Sequence, residues 1–271
     1  MGLMIIVLGP DMAFSQLPII AYKSVNSFTL VALPGFILTG ELLLKSNIGQ
    51  KLFKLADRWV RHLPGGIAIA TIIVCAFFAA IAGSSVATAM TIGALAAREM
   101  LAHEYPKTFA FGVIAAAGTL GILIPPSAPL IVYGALTDTS VLRLFTAAII
   151  PGILLTLLFI IYVIIKTKKT IDRSDPATWK ERFVALKEAS WAMLIPITIF
   201  GGMYSGIFTP TEAAAVSAFI TLILGVIIYK GINFKNIFSI FSNAASNTSM
   251  IFYIIIGASI FWSCFNDNQF T

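Results

Sequence analysis

The sequence predicts an all-α protein that crosses a membrane several times, and three observations support this fold class. Of the 271 residues, 58% are hydrophobic and only 11% are charged, whereas soluble domains carry about 25% charged residues. The apolar residues form long segments, and the charged residues gather in short stretches between them. At about 20 residues for each crossing, the chain has room for roughly seven or eight such segments.

Two apolar segments contain helix-breaking inserts. Gly83-Ser84-Ser85 interrupts the segment 63–97, and Pro125-Pro126-Ser127 interrupts the segment 108–137. Hydrocarbon offers no partner to backbone amides and carbonyls, so a break is tolerated only where the freed groups face protein, water or an ion. Each arm of 63–97 is short for a crossing, which predicts a re-entrant helical hairpin with its tip at Gly83–Ser85. Two adjacent prolines remove two backbone donors, which predicts an unwound helix within 108–137.

Paired helix breaks indicate transport rather than a passive membrane anchor. Secondary transporters build binding sites at the bilayer midplane from discontinuous helices, in which half-helix N-termini face anions and freed carbonyls face cations. An alternative interpretation of Gly83-Ser84-Ser85 is close helix packing, which small residues also provide in membranes. The second break within 108–137 favours the transport interpretation.

The segment before the first break contains one carboxylate and one amphipathic helix. Glu41 lies near the end of the apolar segment 28–44, and we interpret it as an interfacial carboxylate beside Lys45 rather than a functional intramembrane group. In 47–62, apolar and basic side chains recur on opposite faces: Ile48, Leu52, Leu55 and Trp59 against Lys51, Lys54, Arg58 and Arg61. This pattern is typical of a helix in the membrane interface, and a coupling arm or scaffold contact is the alternative.

The second half of the chain is predicted to contain further spans joined by capped turns. Asp175-Pro176 is interpreted as a helix N-cap with a first-turn proline. Thr209-Pro210-Thr211-Glu212 fits a capping box, so Glu212 is interpreted as a cap rather than an ion ligand. The predicted spans are 141–165, 191–208, 213–229 and 249–265, and a second amphipathic segment covers 233–249.

The distribution of charge predicts the orientation. The net charge is +6, and 12 of the 18 basic residues lie in the windows 45–61 and 166–190. Cytoplasmic loops are enriched in Lys and Arg, so both windows are predicted to be cytoplasmic. This use of the basic residues argues against a nucleic-acid partner. Span 28–44 then runs inward and 249–265 outward, which predicts that the second begins an inverted copy of the first.

The sequence indicates neither disulfide or metal chemistry nor catalysis. Cys75 and Cys264 both lie in apolar runs, so neither a disulfide framework nor a transition-metal site is predicted. His62 and His103 lie in polar flanks, and no Ser/His pair shares a span. We therefore predict no catalytic residues and no enzymatic activity.

Several sequence blocks resemble one transporter family. The blocks PGFILTGELL, AAIAGSSVATAMTIGAL, GTLGILIPPSAPLIVYGAL and SGIFTPTEAAAV are similar to the large membrane subunit of TRAP transporters, the DctM-like permease. The resemblance implies an ion-transporter-like fold that takes up carboxylates, such as C4-dicarboxylates or sialic acids, by an elevator motion. It also implies sodium as the coupling ion and no other cofactor. The implied partners are a small four-helix membrane subunit and a periplasmic substrate-binding protein, in the bacterial inner membrane.

The resemblance also assigns candidate sodium- and substrate-binding residues. At the hairpin tip these are Gly83, Ser84, Ser85 and Thr88. In the unwound helix they are Thr119, Gly121, Pro125, Pro126 and Ser127.

This resemblance divides the chain into four regions. Residues 1–62 form a scaffold span and interfacial helix, and 63–137 form the transport elements. Residues 138–229 form further spans around the cytoplasmic loop 166–190, and 230–271 begin a second repeat. The family has two such repeats, so the chain is expected to be an incomplete or truncated form. A sodium/carboxylate symporter that works without a binding protein, or a structural subunit that transports nothing, is the alternative.

Overall fold

A computed structural model describes residues 10–168 and 175–266, with side chains from Gln16 to Lys168 and from Asp175 to Ser263. Within these ranges the chain is helical and contains no strand, which confirms the all-α prediction. The helices are α1 (Pro10–Val25), α2 (Ala32–Lys45), α3 (Ile48–Val60), α4 (Gly66–Ala82), α5 (Ser85–Ala102), α6 (Lys107–Gly118), α7 (Leu120–Leu123), α8 (Ala128–Leu136), α9 (Val141–Thr167), α10 (Trp179–Tyr204), α11 (Pro210–Ile223) and α12 (Phe234–Asn266). A 3₁₀ turn, Phe28–Val31, precedes α2, and a π turn, Leu224–Ile228, follows α11.

In the described part, six helical segments are long and apolar enough to cross a membrane: Phe28–Lys45, Lys107–Leu136, Val141–Thr167, Trp179–Tyr204, Pro210–Ile228 and Phe234–Ser263. The protein is therefore a multi-pass membrane protein. The hairpin arm Gly66–Ala82 is shorter than these segments. This agrees with its prediction as a re-entrant element.

Helix α2 lies at the centre of the fold and packs closely because it carries small residues on two faces. A Cβ on Gly35 would lie 2.8 Å from the Ala214 Cβ of α11, and a Cβ on Gly40 would lie 3.2 Å from the Ala82 carbonyl oxygen of α4. The Thr39 and Ser217 hydroxyls, which are 3.0 Å apart, add a buried hydrogen bond between α2 and α11. Small residues and interhelical hydroxyl bonds are the means by which helices associate in membranes.

Helix α3 packs on both of its faces. Its apolar residues Ile48, Leu52 and Phe53 are buried. On the basic face, Lys51 and Lys54 lie 3.0 and 3.2 Å from Glu188 of α10. A further ion pair of 3.1 Å joins Arg58 to Glu181. The structure therefore shows that α3 contacts α10 through its basic face.

Contacts between helix ends bring the two predicted cytoplasmic windows to one side of the molecule. The ion pairs from α3 to Glu188 and Glu181 join window 45–61 to the described part of window 166–190, of which residues 169–174 lie outside the described residues. A Cβ on Gly65 would lie 2.5 Å from the Thr167 hydroxyl oxygen at the end of α9. The start of the hairpin and the end of α9 therefore share this side.

Tyr105 shows that the hairpin returns to the side from which it starts. This residue follows α5, and its buried hydroxyl lies beside the backbone amides of Ile67 and Ala68 at the start of α4. Burial raises the pKa of Tyr105 to about 12, although these two amides oppose the shift. The two ends of α4 and α5 that lie away from the tip are thus neighbours, as a re-entrant hairpin requires.

Several boundaries differ from the sequence prediction, and the predicted span 191–208 is the later part of α10, which ends at Tyr204. Helix α10 begins at Trp179 rather than at Asp175-Pro176, because Thr178 and Glu181 form a capping box in which each side chain accepts a hydrogen bond from the backbone of the other. The hairpin extends to Ala102 rather than to residue 97. The segments 233–249 and 249–265 are one continuous helix, α12, because no residue between them breaks the helix.

The capping box predicted at the start of α11 is confirmed. The Glu212 carboxylate accepts a hydrogen bond of 2.8 Å from the Thr209 amide, and the Thr209 hydroxyl accepts one of 3.3 Å from the Glu212 amide. Glu212 is thus a cap, as the sequence indicates.

Candidate functional site

The hairpin tip consists of a glycine and a serine between two helices. Gly83 ends α4 in the left-handed region with φ of +61°, and Ser84 is extended. The Ser84 hydroxyl accepts a hydrogen bond of 3.3 Å from the Ala87 amide, and its carbonyl accepts one of 2.8 Å from the Thr88 hydroxyl. The break therefore satisfies several of its own polar groups, as a break in a membrane protein requires.

The second break separates α7 from α8. Ile124 and Ser127 have extended backbone, and the bond between Pro125 and Pro126 is cis. The Ser127 hydroxyl is buried and donates a hydrogen bond of 2.6 Å to the Ile122 carbonyl. The region predicted to be unwound is thus non-helical at Ile124–Ser127.

The two breaks contact each other directly through backbone atoms. A Cβ on Gly121 would lie 2.7 Å from the Ser84 carbonyl oxygen. A Cβ on Gly83 would lie 2.7 Å from the Pro126 carbonyl oxygen. The Ala128 amide donates a hydrogen bond of 3.4 Å to the Gly83 carbonyl. Glycine at 83 and 121 is what permits this approach, since a side chain at either position would meet backbone rather than a movable side chain.

A cavity of about 560 Å³ lies beside the hairpin tip. Its walls are the tip residues Gly83 to Ala87, one face of α2 and one face of α12. Polar and charged groups from all three walls reach it: Glu41, Lys45, Ser84, Ser85, Asn243, Ser246 and Asn247. The cavity therefore combines oxygen atoms suited to a small cation with one ammonium group suited to an anion.

The structure separates the nine predicted site residues into three groups. Gly83, Ser84 and Ser85 line the cavity. Thr88, Gly121, Pro125, Pro126 and Ser127 are buried around the junction of the two breaks. Thr119 is exposed, and its hydroxyl donates to the Ala116 carbonyl of its own helix at 2.7 Å.

Glu41 lines the cavity, which its position in the sequence beside Lys45 did not indicate. It is only 8% exposed, and its Oε1 accepts a hydrogen bond of 2.9 Å from the Asn247 Nδ2. In the sequence its visible neighbour is Lys45, one turn later, and in the structure α12 also packs across this part of α2 and covers Glu41. The glutamate itself was visible in the apolar segment, whereas its partner is 206 residues away.

Asn243, Ser246 and Asn247 were missed as site residues. The sequence signal was the polar face of segment 233–249, which resembles a solvated or interfacial face. In the structure this face of α12 is directed at the cavity. Only the packing of α12 on α2 distinguishes a face that lines the cavity from a solvated or interfacial face.

Comparison with known proteins agrees with these features. The family profile of the tripartite ATP-independent periplasmic transporter DctM component matches residues 1–270. The C4-dicarboxylate TRAP transporter large permease protein DctM of Pseudomonas aeruginosa is 37% identical over 262 residues, which are 96% of this chain and 61% of that protein. DctM of Vibrio cholerae is 43% identical over 204 residues, 75% of this chain and 45% of that protein.

Relatives named for other substrates match at similar levels. The sialic acid TRAP transporter large permease protein SiaM of Vibrio cholerae is 36% identical over 239 residues, 88% of this chain and 56% of that protein. The chain thus spans about half the length of the curated relatives it matches, with shares from 45% to 61% among these three. The match along nearly the whole chain, together with the paired helix breaks, shows that it belongs to the DctM family of TRAP transporter large permeases, which are transporters rather than enzymes.

Proposed function

We propose that this chain is part of the permease of a TRAP system that couples sodium entry to the uptake of carboxylate substrates. The observation that carries the proposal is the meeting of two helix breaks beside a polar cavity. Discontinuous helices supply the substrate and ion sites of secondary transporters. The family membership supports the same function.

The hairpin tip provides the most suitable atoms for sodium. The Ser85 side chain lines the cavity and makes no hydrogen bond within the described part of the chain. Its hydroxyl is therefore available as a ligand without loss of an existing bond. Backbone carbonyls freed at the break are the other ligands that transporters use for sodium, and the Glu41 carboxylate adds a negative charge to the opposite wall.

The names of most relatives and the charge of the cavity support a carboxylate substrate, although one relative is named for isethionate, a sulfonate. Relatives are named for C4-dicarboxylates, sialic acid and 2,3-diketo-L-gulonate, all of which are carboxylic acids. Lys45 brings an ammonium group to the cavity, and no carboxylate of the described residues forms a salt bridge with it. We assign this group the role of attracting the substrate anion.

Uptake in this proposal requires partners and movement. A periplasmic binding protein delivers the substrate, a small membrane subunit completes the scaffold, and the assembly lies in the bacterial inner membrane. The hairpin and the α6–α8 segment move together as an elevator, and their backbone contacts at Gly83 and Gly121 support movement as a unit. The second repeat also belongs to this proposal.

The test is sodium-driven uptake by the chain within its complete native assembly, reconstituted in vesicles. We expect Ser85→Ala to raise the sodium concentration for half-maximal uptake by about tenfold, since a hydrogen bond or ligand to a charged species contributes about 1.5–3 kcal/mol. Ser239→Ala is the matched control, because Ser239 is exposed on α12 and its hydroxyl bonds its own helix. An unchanged sodium dependence in Ser85→Ala would contradict the site. Uptake that persists without a binding protein would support the symporter alternative.

A further inference from the structure

A second candidate site lies away from the cavity, between α3 and α10. The segments Lys51–Arg61 and Trp179–Glu188 together carry seven basic and three acidic side chains. Glu188 pairs with Lys51 and Lys54, Glu181 pairs with Arg58, and Asp57 pairs with Arg61. Lys180, Arg182 and Lys187 have no carboxylate partner within the described residues, so the surface keeps an excess of positive charge.

Arg182 is held between two tryptophans at this surface. Its guanidinium carbon lies 5.8 Å from the ring centroid of Trp59 and 5.1 Å from that of Trp179. The buried Nε has no hydrogen-bond acceptor in the described part of the chain. Contact with aromatic faces fixes the plane of a guanidinium, so that its two terminal Nη groups can donate parallel hydrogen bonds to a phosphate.

An apolar groove begins at the same tryptophan. It has a volume of about 280 Å³, and Trp59 lines it together with residues of α3, α4 and α10: Leu52, Leu55, Ala56, Val60, Ile73, Val74, Phe77, Leu186 and Met193. Leu186 lies one helical turn beyond Arg182. The groove therefore continues directly from the basic surface and offers no polar side chain.

We propose that this surface binds an anionic phospholipid of the cytoplasmic leaflet, with its phosphate at Arg182 and part of one acyl chain in the groove. Charge complementarity selects this occupant, because a basic surface beside a wholly apolar groove matches a molecule with an anionic head and a hydrocarbon tail. Basic pockets between membrane helices bind anionic headgroups, and tryptophans favour the headgroup level. In this proposal the bound lipid links α3 to α10, two helices that the ion pairs also hold together.

The experiment measures lipid that stays bound when the protein is purified from its native membrane in whatever assembly it forms there. Purified samples are exchanged into phosphatidylcholine vesicles with or without phosphatidylglycerol, and bound lipid is identified by mass spectrometry. We expect wild type to retain phosphatidylglycerol in preference to phosphatidylcholine. Arg182→Ala is expected to reduce this retention about fivefold, since one basic side chain near an anionic surface contributes about 1 kcal/mol.

Two variants separate the headgroup from the tail. Leu55→Trp fills the groove and is expected to reduce retention of both lipids without a change in charge. Lys235→Ala is the control, because it removes one exposed basic side chain outside this surface and is expected to retain lipid as wild type does. Each variant is compared only if it elutes as wild type does. Equal retention of phosphatidylglycerol by Arg182→Ala and wild type would overturn the proposal.

A photo-crosslinking residue at Leu186 identifies the occupant directly. An adduct with the mass of a phospholipid supports the proposal. An adduct with a protein, either another subunit or a second copy of this chain, overturns it, because the groove would then be a protein interface.

Discussion

At the scale of single residues, Gly121 shows most clearly how the two helix breaks are held together. Its α-carbon faces the backbone of Ser84 and Ser85, and a Cβ would lie 2.7 Å from the Ser84 carbonyl oxygen and 2.8 Å from the Ser85 Cα. These atoms belong to the hairpin tip and cannot rotate away as a side chain could. A methyl group at this position would therefore separate the two breaks.

We predict that Gly121→Ala lowers the free energy of unfolding by about 1–3 kcal/mol, the usual cost of overpacking, and reduces uptake. Gly112→Ala is the matched control, because Gly112 lies one helix earlier and a Cβ there would meet nothing within 4 Å. The control is expected to be neutral or slightly stabilising, since alanine favours helix over glycine. Thermal unfolding of both variants in the same detergent checks this, and equal behaviour of the two would contradict the close approach.

At the scale of helices, the Tyr229 hydroxyl bonds two backbone groups of α10. Its hydroxyl accepts a hydrogen bond of 3.1 Å from the Ala192 amide and donates one of 3.1 Å to the Glu188 carbonyl. In a regular helix this amide would bond that carbonyl directly. The tyrosine thus contacts α10 where its ion-paired first turns meet its apolar remainder.

We predict that Tyr229→Phe destabilises the protein by about 1 kcal/mol, the net value of a typical hydrogen bond, and accelerates hydrogen exchange at the Ala192 amide. Tyr253→Phe is the control, because it removes the same hydroxyl from a side chain that is 75% exposed. Thermal unfolding measures the change in stability, and hydrogen-exchange mass spectrometry measures the exchange of the segment that contains the Ala192 amide. Unchanged exchange of the 188–192 segment would show that the hydroxyl does not bridge it.

At the scale of the whole molecule, contacts between helix ends assign the connecting turns to two sides. The turns near His62, His103 and Lys230 lie on the side of the basic windows, because Gly65 contacts Thr167, Tyr105 contacts the start of α4, and Gly231 contacts the backbone of Ser46. The turns at Asp138 and Gly206 follow crossings that start from that side. Because cytoplasmic loops are enriched in basic residues, the first side is predicted to be cytoplasmic.

We predict that single cysteines at His62, His103 and Lys230 react with a membrane-impermeant maleimide only from the cytoplasmic side. Cysteines at Asp138 and Gly206 are expected to react only from the opposite side. These single cysteines are introduced into a variant that lacks Cys264 and keeps Cys75, which is fully buried. Labelling of intact cells tests access from outside, and labelling of inverted vesicles tests access from the cytoplasmic side. Reaction of His62 and His103 from opposite sides would contradict the re-entrant hairpin.

Local patterns in the sequence were sufficient for features that depend on neighbouring residues. The glycine and proline breaks, the capping box at Glu212 and the two faces of α3 each involve residues within a few turns of one another, so spacing alone predicts them. The membrane class follows from composition, since few charged residues are present to interact with water. The prediction of a cap at Asp175-Pro176 was wrong because Thr178 and Glu181 offer a competing local pattern, in which both hydrogen bonds of a capping box form.

The sequence by itself thus determined the all-α membrane class, both helix breaks, the shared side of the basic windows and the resemblance to the DctM family. Only the tertiary structure decided which residues surround the cavity. Glu41 and Asn247 are joined by one hydrogen bond across 206 residues, and Arg182 lies between Trp59 and Trp179 from different helices. Such contacts depend on how helices pack, and helical periodicity specifies which face of a helix is apolar or polar but not which helix that face will meet.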